Sequence, residues 1–187
     1  MPARQSVLGF RLMAAEFRIR DLLRPPRAML EEAGIAPGMC VLDYGCGPGS
    51  YVVAAAGMVG QAGKVYALDV HPLAIASVRR LSVRKCLANV VTILSDCKTG
   101  LTDGEVDVVL LYDVLHDVHD PRPLLDELHR VLKPKGILSV SDHHLREREI
   151  VSLLAHGGAF RLLSKGKRTY AFSLEKLRMS PPAGMGA

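Results

Sequence analysis

The chain has 187 residues, 49% of them hydrophobic and 23% charged, which excludes wholesale disorder and suits a single globular domain. The longest mostly apolar stretch, 51–59, is too short to span a bilayer, and arginines at positions 4, 11, 18 and 20 interrupt any signal-peptide-like core. The formal charge of +5 permits an anionic partner without requiring one, and the absence of tryptophan argues against a nucleic-acid platform of stacked rings.

Taken in chain order, residues 7–33 carry apolar side chains at near-helical spacing (Leu8, Leu12, Phe17, Leu22, Leu23, Met29, Leu30), broken by Pro25–Pro26. Two short helices with outward arginines are expected. From Cys40 onward, strands are expected at Cys40–Tyr44, 64–70, Val90–Leu94, Val106–Tyr112 and 137–141, all rich in Val, Ile and Leu and apolar on both faces. Helices are expected at about 49–59, 72–87, 121–133 and 147–156. In the third, Asp120 can cap, and Leu124, Leu125, Leu128, Val131 and Leu132 form one stripe. A hairpin of 160–164 with 169–174 turns near Gly166. Five βα units, a helix and an antiparallel hairpin make a three-layer α/β sandwich. The tail 180–187 reads as frayed.

In such a sheet, ligands bind beyond the carboxyl ends of the strands. The first strand ends in Asp43-Tyr44-Gly45-Cys46-Gly47-Pro48-Gly49-Ser50. Glycines at alternate positions allow a tight turn and a close approach of ligand to bare backbone. The spacing is GxGxG, with Ser50 where a dinucleotide fingerprint wants its last glycine. Asp43 suits a cationic amino-acid group better than a pyrophosphate. Asp69, at the end of the second strand, can accept from two vicinal ribose hydroxyls. Asp96, after the third, can accept from an adenine amino group. A glycine turn or a strand-end Asp is by itself often only structural, but the three together in this order point to nucleoside binding.

These residues, with the run Asp107–His116 and Leu128-His129-Arg130-Val131-Leu132-Lys133-Pro134-Lys135-Gly136, resemble class I S-adenosylmethionine-dependent methyltransferases. Within that class, the ubiquinone/menaquinone-biosynthesis branch is most similar. The resemblance covers about residues 35–177. It implies a Rossmann-like, seven-stranded mixed sheet in the order 3-2-1-4-5-7-6 with strand seven antiparallel. It divides the chain into an N-terminal helical lid (1–34), a methyltransferase domain (35–178) and a flexible tail (179–187). By position it assigns the methionine part of S-adenosylmethionine to Asp43, Gly45 and Gly47, and the ribose to Asp69. Val70 would lie against the adenine face, with Asp96 and Cys97 at its edge. The backbone of Tyr112 would meet the amino-acid end, and Cys46 would line the pocket. Where the branch usually has Lys-Pro-Gly-Gly, this chain has Lys-Pro-Lys-Gly.

Methyl transfer needs alignment and exclusion of water, plus a base if the acceptor carries a proton. Two clusters fall at the ligand-facing ends of strands four and five: His116-Asp117-Val118-His119-Asp120 and Asp142-His143-His144. His116 and His143 are the preferred catalytic candidates, with Asp117 and His144 next; histidine titrates near neutrality. No HExxH-type spacing supports a metal, and none is assigned. The four cysteines (40, 46, 86, 97) show no CxxC spacing and read as reduced thiols of a cytoplasmic protein. They also lack the relay that arsenite methylation uses. The expected activity is methyl transfer to a small-molecule acceptor, C- or O-directed, leaving S-adenosylhomocysteine. The alternative is an S-adenosylmethionine-binding regulator or degenerate methyltransferase without acceptor chemistry. The lack of a long insertion after strand five suggests a small pocket, or one completed by a second subunit as a homodimer. The N-terminal helices could touch a membrane, but a lid is favoured.

Overall fold

The computed structural model describes residues 9, 10, 12, 14, 15, 17, 20, 25–155 and 158–175. The described residues between 9 and 20 are helical. Helix α1 (Pro26–Glu32) follows, then β1 (Cys40–Tyr44), α2 (Ser50–Val59), β2 (Lys64–Asp69), α3 (Pro72–Arg84), β3 (Val90–Leu94) and β4 (Val106–Tyr112). A 3-10 turn (Leu115–Asp117) leads to α4 (Arg122–Val131), β5 (Leu132–Ser141), α5 (Glu147–Ala155), β6 (Phe160–Lys165) and β7 (Tyr170–Leu174). The strands form one sheet in the order β3-β2-β1-β4-β5-β7-β6. All neighbours are parallel except β7, which runs antiparallel to both β5 and β6. The expected topology is therefore the observed one.

Alternation along each strand divides the core between the two faces of the sheet. Leu42, Val109 and Leu111 point to the face covered by Leu124, Leu125 and Leu128 of α4 and Ile150 and Leu154 of α5. Val41, Val108 and Leu110 point to the other, covered by Leu30 of α1, Val52 and Val59 of α2, and Ile75 and Val78 of α3. Each fully buried Leu or Val contributes roughly 1.5–3 kcal/mol.

Four local expectations are corrected. β3 is an edge strand with Val91 and Leu94 exposed, not a strand buried on both faces, because only β2 pairs with it. No helix joins β3 to β4. That crossover is a loop held by Glu127 of α4, whose Oε1 accepts from the Thr99 N–H at 2.8 Å and the Thr99 hydroxyl at 2.6 Å. Helix α4 stops at Val131 and β5 starts at once, because Leu132 pairs with Val106. The next pair is Val108 with Ile137, so the segment Lys133–Gly136 forms a bulge in β5, pinned by Lys133 Nζ on Asp107 Oδ1 at 2.7 Å. A side chain at Gly136 would meet the Asp107 carbonyl at 3.1 Å. Lastly, Leu12 is exposed, and Arg20 turns inward with its guanidinium 4.0 Å from the centre of the Phe17 ring. Leu8, Leu22, Leu23, Arg4, Arg11 and Arg18 lie outside the described residues, as do His156 and the tail.

Candidate functional site

At the carboxyl end of β1 the backbone leaves the sheet through Gly45, with φ +81°. The Gly45 and Cys46 N–H groups both donate to the Leu68 carbonyl, at 2.8 and 2.9 Å, folding the loop over the end of β2. A Cβ at Gly45 would stand 2.4 Å from Val114 Cγ2, so only glycine fits the turn. Gly47, at φ +51°, differs: a Cβ there would meet nothing within 4 Å. Its bare face opens onto the edge where a ligand would lie. Gly49 then starts α2 from the left-handed conformation.

Asp43 shares its sheet face with Val41, Leu110 and Tyr112 and is only 2% exposed. Its Oδ2 is buried without a hydrogen-bond partner among the described residues. Burial, and secondarily the Asp69 charge, push its carboxyl up to about 7. A buried carboxylate oxygen left unmet is costly unless a ligand supplies the donor or the charge. Asp69, one strand over, accepts the Gly47 N–H at 2.9 Å and the His71 N–H at 2.7 Å. Burial raises its carboxyl, and these N–H groups oppose the rise. Two of its four lone-pair positions remain for further donors. His71 also caps α3 through Nδ1, which accepts from the Leu73 N–H at 3.2 Å. Phe10 stacks on the His71 ring at a centroid distance of 5.5 Å.

Val70 is exposed beside Asp69, and Asp96 is exposed with Cys97 half-buried after β3. The Tyr44 hydroxyl donates beneath them to the Asp96 carbonyl at 3.2 Å. Cys46 is buried, and burial drives its thiol well above the usual range. Tyr112 ends β4 with its hydroxyl 2.8 Å from Ser139 Oγ and its ring edge-on to Tyr51.

The ends of β4 and β5 hold the histidines in a crossed arrangement. His116 Nδ1, after β4, lies 2.9 Å from Oδ2 of Asp142, after β5. His143 Nδ1, after β5, lies 2.7 Å from Oδ1 of Asp113, after β4. His144 fills the space between, with ring centroids 4.1 Å from His116 and 3.9 Å from His143. The Asp142 side chain is 0% exposed. Burial pushes its carboxyl up, but the His116 ring and the N–H groups of His144 and His116 outweigh that and hold it below the usual range. Asp117 Oδ2 is 3.6 Å from His116 Nε2 and well exposed. Asp113 itself has φ +54°. For a residue other than glycine this is the kind of backbone strain that clusters at functional sites.

Sequence reasoning placed His116, His143, His144 and Asp117 together, and the structure brings them together. It quoted Asp113 and Asp142 within their runs but gave them no role, and it passed over His71 and Tyr51. The reciprocal His and Asp at adjacent strand ends was the available signal for the first two; nothing local marks the others. Asp120 acts at the start of α4, accepting the Arg122 N–H at 3.2 Å and its guanidinium. His129 stands edge-on to Phe160, away from these groups. Among the described residues, no group of three or more His, Cys, Asp or Glu is arranged to hold a metal ion.

A parallel sheet with reversed β7, a glycine loop over the end of β2 and acids at successive strand ends define a class I S-adenosylmethionine-dependent methyltransferase. The chain belongs to the methyltransferase-domain family, whose model matches residues 35–173. S-adenosylmethionine is the cofactor of that class. The residues fit it: Asp43 has an unmet buried oxygen, and Gly47 leaves open space beside its backbone in the left-handed conformation.

Among solved structures, a SAM-dependent methyltransferase from Aquifex aeolicus is 29% identical with a TM-score of 0.74, covering 84% of this chain and 93% of that one. An arsenic (III) S-adenosylmethionine methyltransferase from Chlamydomonas reinhardtii shares the fold, at 23% identity and a TM-score of 0.62, over 79% of this chain and 66% of its own. A Thermoplasma acidophilum protein named probable cobalt-precorrin-6B C(15)-methyltransferase (decarboxylating) is 32% identical over 96 residues, 49% of this chain. The chain spans about half of that relative's length, 46%. No helix among the described residues is long and apolar enough to cross a membrane.

Proposed function

We propose that this chain transfers the methyl group of S-adenosylmethionine to a small organic acceptor, at carbon or oxygen, and releases S-adenosylhomocysteine. The observation that carries the reading is the buried, unmet Asp43 oxygen beside the bare Gly47 backbone. Asp43 and the Gly45–Gly47 backbone hold the amino-acid end of the cofactor, where an ammonium would meet the lone carboxylate. Asp69 takes the ribose hydroxyls with its free lone pairs, Val70 covers the adenine face, and Asp96 and Cys97 stand at its edge. The Tyr112 backbone and Cys46 close the remaining side. The sulfonium supplies an already activated methyl group, so the protein's work is alignment, exclusion of water and removal of a proton.

His116 is the best placed base. A carboxylate only accepts, so Nδ1 carries the proton that Asp142 receives, and Nε2 is left with a free lone pair. Asp117 Oδ2 lies 3.6 Å from that Nε2. His143, tied to Asp113, and His144, packed between the rings, orient the acceptor. The N-terminal segment acts as a lid: Phe10 stacks on His71 beside Asp69, and Arg20 lies over Phe17 and Tyr51 with its guanidinium 3.9 Å from Asp113. The Thermoplasma relative's name specifies a carbon acceptor, which supports the C-directed branch of the reading.

The test is a single-turnover reaction of purified chain, S-adenosylmethionine and a metabolite extract, read by mass spectrometry. Formation of S-adenosylhomocysteine together with a metabolite that has gained one methyl group is the expected outcome. Cofactor binding without such transfer would instead support a regulator.

A further inference from the structure

Away from the strand ends, a cleft of about 590 Å³ opens between α2 and α3, directly behind the glycine loop. Val53, Ala54 and Leu81 give it an apolar floor, and Pro48, Gly49 and Ser50 form one wall. Arg80, Arg84 and Lys85 line it as well. Among the described residues, no acidic one lines it, and α3 contains none. Among the described residues, none of these three side chains has a hydrogen bond or an ion pair. Their neighbour Arg79 behaves differently, with Nε donating to Thr92 Oγ1 at 3.0 Å. The acids of α1 are committed elsewhere: Glu31 to Arg27, and Glu32 to the N–H groups of Arg168 and Thr169. A helix C-terminus favours cations, which accounts for Arg84 and Lys85 at the last turn of α3 but not for Arg80, a turn earlier. Three unopposed positive charges around a concave apolar floor concentrate positive potential there.

We infer that this cleft is a second ligand site, separate from the cofactor edge, that takes a small phosphorylated organic molecule. Guanidinium forks match phosphate oxygens in geometry and charge, and the apolar floor accepts a hydrocarbon body. A single-stranded nucleic acid would call for aromatic rings along an extended basic track, and no aromatic side chain among the described residues lines the cleft.

The experiment titrates the full chain with inorganic pyrophosphate and with octyl phosphate, followed by calorimetry and amide NMR, with and without saturating S-adenosylhomocysteine. Both probes are expected to bind in both conditions, octyl phosphate more tightly than pyrophosphate because only it reaches the apolar floor, with shifts at Gly49, Ser50 and Leu81. The double variant Arg80→Gln/Arg84→Gln should weaken octyl phosphate at least tenfold while S-adenosylhomocysteine affinity changes less than twofold. Displacement of the phosphates by S-adenosylhomocysteine would overturn the site, because the anion would then occupy the cofactor edge. Undiminished binding in the double variant, or a short RNA outcompeting octyl phosphate, would overturn it too. The titration without S-adenosylhomocysteine keeps this result separate from any failure of cofactor binding.

Discussion

The two halves of the strand-end edge are built on opposite principles. At β1 and β2 the polar groups are buried and one of them, Asp43 Oδ2, is unmet, with bare backbone beside it. At β4 and β5 the Nδ1 atoms of His116 and His143 each already have a carboxylate, and His143 and His144 are exposed. The first half therefore leaves one buried polar group unmet, and the second keeps its histidines and carboxylates paired with one another. On the proposed reading this division lets the first half discriminate its ligand by leaving a polar group unpaired.

The sharpest way to separate the halves is His116→Gln. It should lower methyl transfer roughly 10²- to 10⁴-fold, the usual weight of a general base. S-adenosylhomocysteine affinity should stay within about twofold. A parallel fall in cofactor binding would erase the division. Asp43→Ala does the reverse, weakening S-adenosylhomocysteine roughly 100-fold, as expected for a lost charge-assisted hydrogen bond, with the circular dichroism of the fold kept.

A smaller effect concerns pH. The Asp43 carboxyl lies at about 7 in the free chain, against an ordinary 3.8. The folded protein thus holds this proton where the unfolded chain has lost it. Stability gained from Asp43 is full below its unfolded value and is lost as pH rises through about 7. A cationic ligand group selects the ionised form, so binding releases the proton. S-adenosylhomocysteine affinity should therefore fall about tenfold per pH unit below 7, and calorimetry in two buffers of different ionisation heat should detect the proton. Asp43→Asn should flatten both dependences.

Gly45→Ala is expected to destabilise the chain by about 1–3 kcal/mol, seen as a lowered Tm, from left-handed strain and the contact with Val114. Val114→Ala in that background should recover the contact part only. The smallest change is Glu127→Gln. Hydrogen bonding by Arg130, with Thr99, holds the Glu127 carboxyl down to about 2. Its stabilisation is present above its ordinary 4.5 and is lost as pH falls through about 2. The variant should lower Tm slightly at neutral pH, with the difference vanishing in acid, and should loosen the loop that carries Asp96 and Cys97.

The strands and the acids at their ends were legible because each rests on local pattern; the strand order came only through the family resemblance, since lateral pairing is not a property of adjacent residues. Apolar runs bounded by Gly and Pro mark the buried strands, and Gly45, Gly47 and Asp43 form a contiguous motif. The early start of β5 was not legible, since it depends on Leu132 pairing with Val106 from another strand. Nor was the loop in place of a helix between β3 and β4, which depends on Glu127 reaching Thr99. Arginines in the N-terminal segment read as a solvated face, yet Arg20 finds aromatic rings and Asp113 within reach.

By itself, then, the sequence determined the sheet, the glycine turn and the residue types at each strand end, because spacing and backbone freedom are properties of adjacent residues. Only the tertiary structure decided that His116 pairs with Asp142 while His143 pairs with Asp113, and that Asp43 is left without a donor. Those outcomes depend on which strands lie side by side and on how completely water is excluded between them. Both are set by packing the whole sheet against its two helical layers.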